Sequence, residues 1–555
     1  MPWNPLWTVA ALFWGSVVAG AISICIDPAT RAFVRQHRAM VLTLIALTVA
    51  FRIPPDGRFF HGMEYEDAYI YTVAGRQIIA APAPPARQAG TPYSVSTCAL
   101  GSIASCEVWE PFPEHLIGYP YLIAVPSWMF GYSPSIGSIV NVFLSVCAMF
   151  LTFCIVLNLT ADALAALLAG LVFAVTPVFA VYGLETSAEP LSNLCMTAAL
   201  WYFLRFVEFR QENVWTQVST WIAYTTTLLY ALLVKREDLL LPIAAVASLP
   251  FVLRKNGWAR SAKVRTLALL LLPSLLAAGL TASMGLRSTT ATEADVLRRF
   301  PITAAHLFAF VSGFLRSFWV LHWYAGTAVL VLAGIVAAFV KFPRTLLPVI
   351  LLIAYVIVYA FHVRGYYEMA AGHVQLDAAL RFSMNMMTLW AVVAGCGGAF
   401  LASTLRTLKW FHEGTSLRRY LAMGALSLIA LPLWWTLRLR DYETEDEWRS
   451  RFTPASAAVE YAQRAQSSLY VVTMEPLTVQ MLGNPNLRVV DLEAADLRTL
   501  HELVSKTRKN PLLLLRQDDR VSPTDIESLR RPAPVHPFNS AHGGRSGRWL
   551  STSHA

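Results

Sequence analysis

Glu66 and Asp67 stand side by side in the stretch His61-Gly-Met-Glu-Tyr-Glu-Asp-Ala-Tyr-Ile-Tyr71, just past an apolar run of membrane length. A carboxylate so placed can take a proton from a hydroxyl, and charge beside the hydrocarbon layer is costly enough to mark a functional site by default. Other ionisable residues recur at later breaks between apolar runs: Glu185 and Glu189 in Gly183-Leu-Glu-Thr-Ser-Ala-Glu-Pro190, the run Lys235-Arg236-Glu237-Asp238, Arg298-Arg299, Arg364, His373 and Arg381. A base for a hydroxyl together with cations for a phosphate leaving group is the equipment of group transfer from a phosphate carrier. Arginine suits the phosphate because its planar fork donates two bonds at once. Each residue also has a plainer explanation. The acidic pair can solvate a juxtamembrane helix, Lys235 to Asp238 can be a polar hairpin tip, Glu189 before Pro190 can be an acid favoured by a helix dipole, and Arg364, His373 and Arg381 can be loop or snorkelling side chains. What favours chemistry is that the topology puts them all on one face.

That topology follows from composition. Of 555 residues 56% are hydrophobic and only 14% charged, and windows of about twenty apolar residues recur through residue 437, which makes this an α-helical polytopic membrane protein. Spans are expected over 6–26, 39–53, 133–157, 162–182, 190–207, 217–234, 239–253, 266–286, 320–340, 346–361, 382–401 and 420–437, about 12 in all. Lys and Arg collect in alternate loops: Arg31, Arg35 and Arg38; Arg205 and Arg210; Arg254 to Arg265; Lys341 and Arg344; Arg406 to Arg419. By the positive-inside rule these loops are cytoplasmic, so 54–132, 183–189, 235–238, 287–319, 362–381 and everything after Leu437 face outside. The formal charge of +9 then reflects membrane anchoring, and no basic stripe interleaved with aromatics points to nucleic acid. The first segment lacks a basic n-region and is too long for an ordinary signal, so it is expected to remain as a helix.

Two polar regions are large enough to hold structure. In 54–132, Tyr65, Tyr69 and Val73 share a helical stripe with Glu66 and Asp67 beside it, whereas the proline-rich end at Trp109 to Pro120 is expected as irregular chain laid over the bundle. Cys98 and Cys106 in this loop are either bridged or two free thiols; the cysteines within spans are packing residues. Residues 438–555 are expected as a small α/β domain on the outer face, with helices at 453–466 and 494–508 and strands at 468–474, 487–492 and 511–515, then a disordered tail rich in Pro, Gly and Ser. Acceptor binding or packing on the outer loops is its expected role. The amphipathic stretch 299–323 is either an interfacial gate or an ordinary loop.

Read in order, these pieces resemble the GT-C superfamily of polyprenol-dependent glycosyltransferases, in the branch of protein O-mannosyltransferases and aminoarabinose transferases. Glu66-Asp67-Ala68-Tyr69 is similar to the family's acidic pair, with the two acids in swapped order; Gly118-Tyr-Pro-Tyr121, Ser187-Ala-Glu-Pro190, Lys235-Arg236-Glu237 and Arg381-Phe382 resemble later segments of it. The resemblance covers 39–437, with 1–38 as an extra helix and basic loop. It implies a GT-C-like bundle in the plasma membrane that transfers a sugar from a polyprenyl-phosphate donor to a hydroxyl of a lipid, glycan or protein acceptor on the outer side, with inversion. Glu66 is then the leading base, Asp67 its partner, and Glu189 a further active-site carboxylate. Lys235, Arg236 and Arg381 become phosphate contacts, and His373 and Tyr69 complete the substrate-binding set. No cofactor or metal is expected, and no nucleotide-binding loop is visible. A lipid-linked glycan polymerase or ligase is the nearest alternative. A secondary transporter or flippase is a third, and it should show charges at the midplane and inverted repeats.

Overall fold

The computed structural model describes residues 5–26, 32, 35–53, 66–80, 94–96, 109–111, 116–181, 183–184, 186–208, 214–244, 269, 271–277, 279, 327–362, 384–407, 453–464, 470–473, 488–491, 511–515 and 548–551. The chain divides into two compact units, one of Met1–Phe59 and Ser138–Leu439, the other of Phe60–Gly137 and Arg440–Ala555.

The first unit is a bundle of apolar helices: α1 (Pro5–Ile26), α2 (Arg38–Ala50), α5 (Ile136–Thr160), α6 (Ala163–Val175), the short α7 (Pro177–Val181), α8 (Glu189–Glu208), α9 (Val214–Leu232), α10 (Ala328–Val340), α11 (Leu346–His362) and α12 (Met387–Thr407). Residues 240–244 and 271–277 are also helical. In the second unit α3 (Glu66–Ala80) and α4 (Gly118–Phe130) precede a C-terminal part built from α13 (Thr453–Arg464) and strands. The bundle buries Thr48, Thr152, Thr197, Asn193 and Thr388 while exposing Ile139, Phe143, Phe339 and Ile357. Polar side chains inside and large apolar ones outside is the pattern of a protein embedded in lipid, where interior hydroxyls bond backbone carbonyls or one another. Thr388 ties three helices together in this way, its hydroxyl 2.6 Å from Thr197 and 3.3 Å from Thr152, and its backbone N–H donating to Asn193 Oδ1 at 3.2 Å.

Among the described residues only α5 and the 384–404 helix are long and apolar enough to cross a membrane alone, and α10 with the segment after it forms a bent pair at 118°. The count of twelve is therefore not met within those residues; the expected span 420–437 lies outside them, as does most of 239–253. Thirteen residues of helix, as in α2 and α6, measure about 20 Å against a hydrocarbon core of about 30 Å. The expected span 162–182 explains how such a helix is extended. Asp162 caps its start, accepting from the N–H groups of Leu164 and Ala165. It then breaks at Thr176, which is extended at φ −63° and ψ 121°, before Pro177 opens α7.

A break in a lipid-embedded helix strands carbonyls that water cannot reach. Proline at 177 has no N–H for the oxygen of Phe173, four residues back, and the change of direction frees that of Ala174. Arg52, fully buried just past the end of α2, supplies both bonds: Nη2 donates to Phe173 O at 3.4 Å and to Phe179 O at 3.1 Å, and Nη1 to Ala174 O at 3.2 Å and Thr48 O at 3.3 Å. The C-terminal ends of the second and fourth expected spans thus meet. Phe51, Ala174, Val175 and Ala180 close over the junction with Leu47.

Elsewhere small residues let backbones approach. A Cβ on Gly397 would collide with Leu330 O, and one on Gly334 with Val393 O, so α10 and α12 run in direct backbone contact. Helix α1 lies along α9, with the Phe13 and Tyr230 rings 5.5 Å apart.

In the second unit α3 packs on α4, where Gly75 faces Pro120 O and Ile123, and Tyr71 meets Tyr119 edge to ring at 5.2 Å. Helix α4 begins at Gly118, inside the last three residues of the stretch expected as irregular chain up to Pro120. Pro120 falls in its first turn, where no helical N–H is needed, and only Pro126 interrupts the ladder. The Arg76 guanidinium lies 4.6 Å from the Tyr132 ring. Burial pushes the Tyr132 phenol above its ordinary value, Arg76 opposing, and burial likewise lowers Arg76. Strands β1 (Ser94–Ser96) and β2 (Trp109–Pro111) pair antiparallel. The C-terminal strands β3 (Tyr470–Thr473), β4 (Arg488–Asp491) and β5 (Pro511–Leu515) fall within the three expected segments and run parallel in the order β4-β3-β5. A fourth strand, β6 (Arg548–Ser551), lies antiparallel on β5 in the stretch expected to be disordered, with Trp549 as a strand-favouring residue.

Candidate functional site

Helix α8 starts where Glu189 and Pro190 foretell it, with an acid in the first turn and a proline whose missing N–H costs nothing there. The chain leading into it is packed: Thr186, Ser187 and Ala188 are buried, and Asn141 Nδ2 of α5 donates to Ser187 O at 3.4 Å. Glu189 is wholly buried and accepts from Lys235 Nζ at 2.8 Å. Lys235 follows the end of α9, where the chain tightens through Leu233, Val234 and Lys235 onto the carbonyls of Tyr230 and Ala231 before the 3-10 turn Arg236–Leu239.

The residues that sequence placed in two outer breaks therefore meet in one cluster. It includes a second carboxylate. Asp238 is fully buried, and both its oxygens accept from Ser192 Oγ at 2.9 Å while Oδ1 accepts from the Tyr355 hydroxyl at 2.9 Å. Ser192 lies one helical turn beyond Glu189 on α8, and Tyr355 belongs to α11. Asp238 was named in the sequence only as part of a charged run; Ser192 and Tyr355 were not singled out, because a serine and a tyrosine in apolar helices carry no local signal.

Glu66 and Asp67 open α3 and Tyr69 follows in its first turn, in the second unit. Arg236 begins the 3-10 turn of the first unit. His373, Arg381, Arg364, Arg298, Arg299, Glu185, Cys98 and Cys106 lie outside the described residues. Among the described residues no trio of His, Cys, Asp or Glu gathers to hold a metal ion. Chemically, the cluster offers an ammonium held by a buried carboxylate, next in sequence to an arginine, on a turn fastened to two helices. Removal of a proton by Glu189 does not fit this arrangement, since Glu189 has no exposure to an acceptor and already holds a cation.

Residues 114–284 match the family described as dolichyl-phosphate-mannose-protein mannosyltransferase, a stretch that contains Gly118-Tyr-Pro-Tyr121, Glu189 and Lys235-Arg236. In fold the chain is similar to ArnT from Cupriavidus metallidurans bound to undecaprenyl phosphate, with TM-score 0.57 and 14% identity over 93% of this chain and 98% of that one. The same protein in its apo state gives 0.55 and 14% over 94% and 98%. The Archaeoglobus fulgidus oligosaccharyltransferase in complex with Zn and sulfate is more distant, at TM-score 0.49 and 12% identity over 86% of this chain and 68% of that chain. No curated protein matches in sequence.

Proposed function

We propose that this chain, a membrane-embedded glycosyltransferase of the GT-C superfamily by its fold and its family match, transfers a sugar from a polyprenyl-phosphate donor to an acceptor hydroxyl on the extracytoplasmic face of the plasma membrane. One observation carries the reading: the matched segment 114–284 contains both halves of the buried Glu189–Lys235 pair, so the segment that resembles a lipid-phosphate-sugar transferase is also the one that builds a fixed basic turn.

In the reaction a carboxylate of the Glu66-Asp67 pair takes the proton of the acceptor hydroxyl, Glu66 leading. The hydroxyl oxygen bonds to the anomeric carbon from the side opposite the phosphate, and the bond between that carbon and the phosphate oxygen breaks. The sugar is inverted and polyprenyl phosphate leaves. Lys235, Arg236 and Arg381 meet the charge that grows on the leaving phosphate, where stabilisation lowers the barrier most. His373 and Tyr69 bind substrate. Glu189, assigned from sequence as a further active-site carboxylate, serves instead as the counter-ion that holds Lys235 in place. The acceptor is a lipid, a glycan or a protein, and the C-terminal α/β part with its mixed sheet is a candidate to receive it.

The test uses the full-length protein in membranes supplied with polyprenyl-phosphate-linked radiolabelled sugar. Glu66→Gln and Asp67→Asn are made separately, and label is followed out of the lipid fraction. Loss of transfer by about 10²-fold or more in at least one supports the base assignment; full activity in both removes it.

A further inference from the structure

The turn bearing Lys235 and Arg236 is fastened twice. Glu189 holds Lys235 at one end, and three residues on, Asp238 is held by Ser192 and Tyr355. Glu189 and Ser192 are themselves three apart on one face of α8, so two pairs of side chains form two rungs between the same two elements. The N–H of Asp238 also closes the turn onto Lys235 O at 3.3 Å, which couples the carboxylate to the backbone on either side of Arg236.

Burying a carboxylate is expensive, and an apolar residue packed in its place would let the turn fold at lower cost. What the carboxylate adds is registry. An ionised Asp only accepts, and each donor aimed at it fixes a direction, here one from α8 and one from α11. A shift of about 1 Å in a charged contact is enough to cost a site much of its affinity and rate.

We propose that Asp238, with Ser192 and Tyr355, is a positioning residue for the donor phosphate: it sets the backbone register of the Lys235-Arg236 turn and so fixes where the Arg236 guanidinium starts from. This rests on the phosphate-binding reading of that turn, and it adds three side chains that take no part in the chemistry. Asp238 acts through Arg236, so its effect vanishes when Arg236 has none.

The experiment measures the affinity of the full-length protein in nanodiscs for undecaprenyl phosphate, with melting temperature recorded alongside. The variants are Arg236→Ala, Asp238→Asn, Tyr355→Phe and Asp238→Asn with Arg236→Ala. Affinity is expected to fall about tenfold in Asp238→Asn, about threefold in Tyr355→Phe, and no further in the double variant than in Arg236→Ala alone. Wild-type affinity in Asp238→Asn and Tyr355→Phe, or an Asp238→Asn effect that adds in full to Arg236→Ala, overturns the inference while leaving the phosphate reading intact. If Asp238→Asn does not fold, Tyr355→Phe decides, since it removes one hydroxyl and keeps the ring. Failure of the wild-type protein to bind the lipid overturns the phosphate reading and this inference with it.

Discussion

Arg52 is a guanidinium used as a piece of backbone. It returns to Phe173 and Ala174 the hydrogen bonds that Pro177 and the turn of the chain remove. Replacing it with Met leaves those two acceptors dry, at about 1–3 kcal/mol each, so Arg52→Met is expected to lower stability by about 2–6 kcal/mol. The reasoning also predicts a rescue. Pro177→Ala lifts the bar to a helical Thr176 and supplies the N–H that a straightened helix would give Phe173 O, so it should recover part of the loss in the Arg52→Met background while doing little for the wild type. Thermal unfolding of the four proteins in one detergent checks it, and additive losses would show that Arg52 does something else. The Glu189–Lys235 pair behaves differently because both members are charges. Glu189→Ala alone strands a nearly buried ammonium and is expected to cost about 3–5 kcal/mol, whereas Glu189→Leu with Lys235→Met should return much of that stability without returning donor binding. Equal instability in the single and double variants would contradict this.

At the scale of elements, helix contacts are set by what is missing from side chains. Gly397 and Gly334 let α10 and α12 touch backbone to backbone, and a Cβ at either position meets carbonyl oxygen, which cannot swing aside as a side chain can. Gly397→Ala is expected to cost about 1–3 kcal/mol and to lower the yield of folded protein, while Gly279→Ala, with nothing within 4 Å, should be neutral. Size-exclusion profiles and melting temperatures of the two variants separate the cases. Much of this level was legible in the sequence. Glu189-Pro190 and Asp162 announce the starts of α8 and α6 through the chemistry of free N–H groups, and the apolar windows place α5, α9, α11 and α12 within a few residues. Helix α4 was missed because the prolines up to Pro120 read against a helix, although a proline in the first turn breaks nothing. The bend at Thr176 was missed for the opposite reason: Pro177 sat in a run so apolar that the hydropathy pattern outweighed it. The Asp238 cluster could not be read at all, since its partners lie 46 and 117 residues away and only tertiary packing brings them together.

At the scale of the whole molecule the assigned roles fall on two compact units, with Glu66 and Asp67 opening α3 in one and the Lys235-Arg236 turn in the other. If the acids act on the acceptor proton and the basic turn on the donor phosphate, the two kinds of variant must fail in different ways. Glu66→Gln keeps the shape of the side chain and one acceptor oxygen but cannot take a proton, so its loss, about 10²–10⁴-fold, is expected in kcat with the affinity for undecaprenyl phosphate unchanged. Arg236→Ala removes a contact that forms with the bound lipid and strengthens as the phosphate gains charge, so it should lower both affinity and kcat/KM. The measurement is a matched set of lipid-binding curves and initial rates with saturating and limiting donor. A loss of lipid affinity in Glu66→Gln, or a pure kcat effect in Arg236→Ala, would reverse the assignment, because a proton acceptor need not bind the donor's phosphate and a phosphate ligand cannot ignore it.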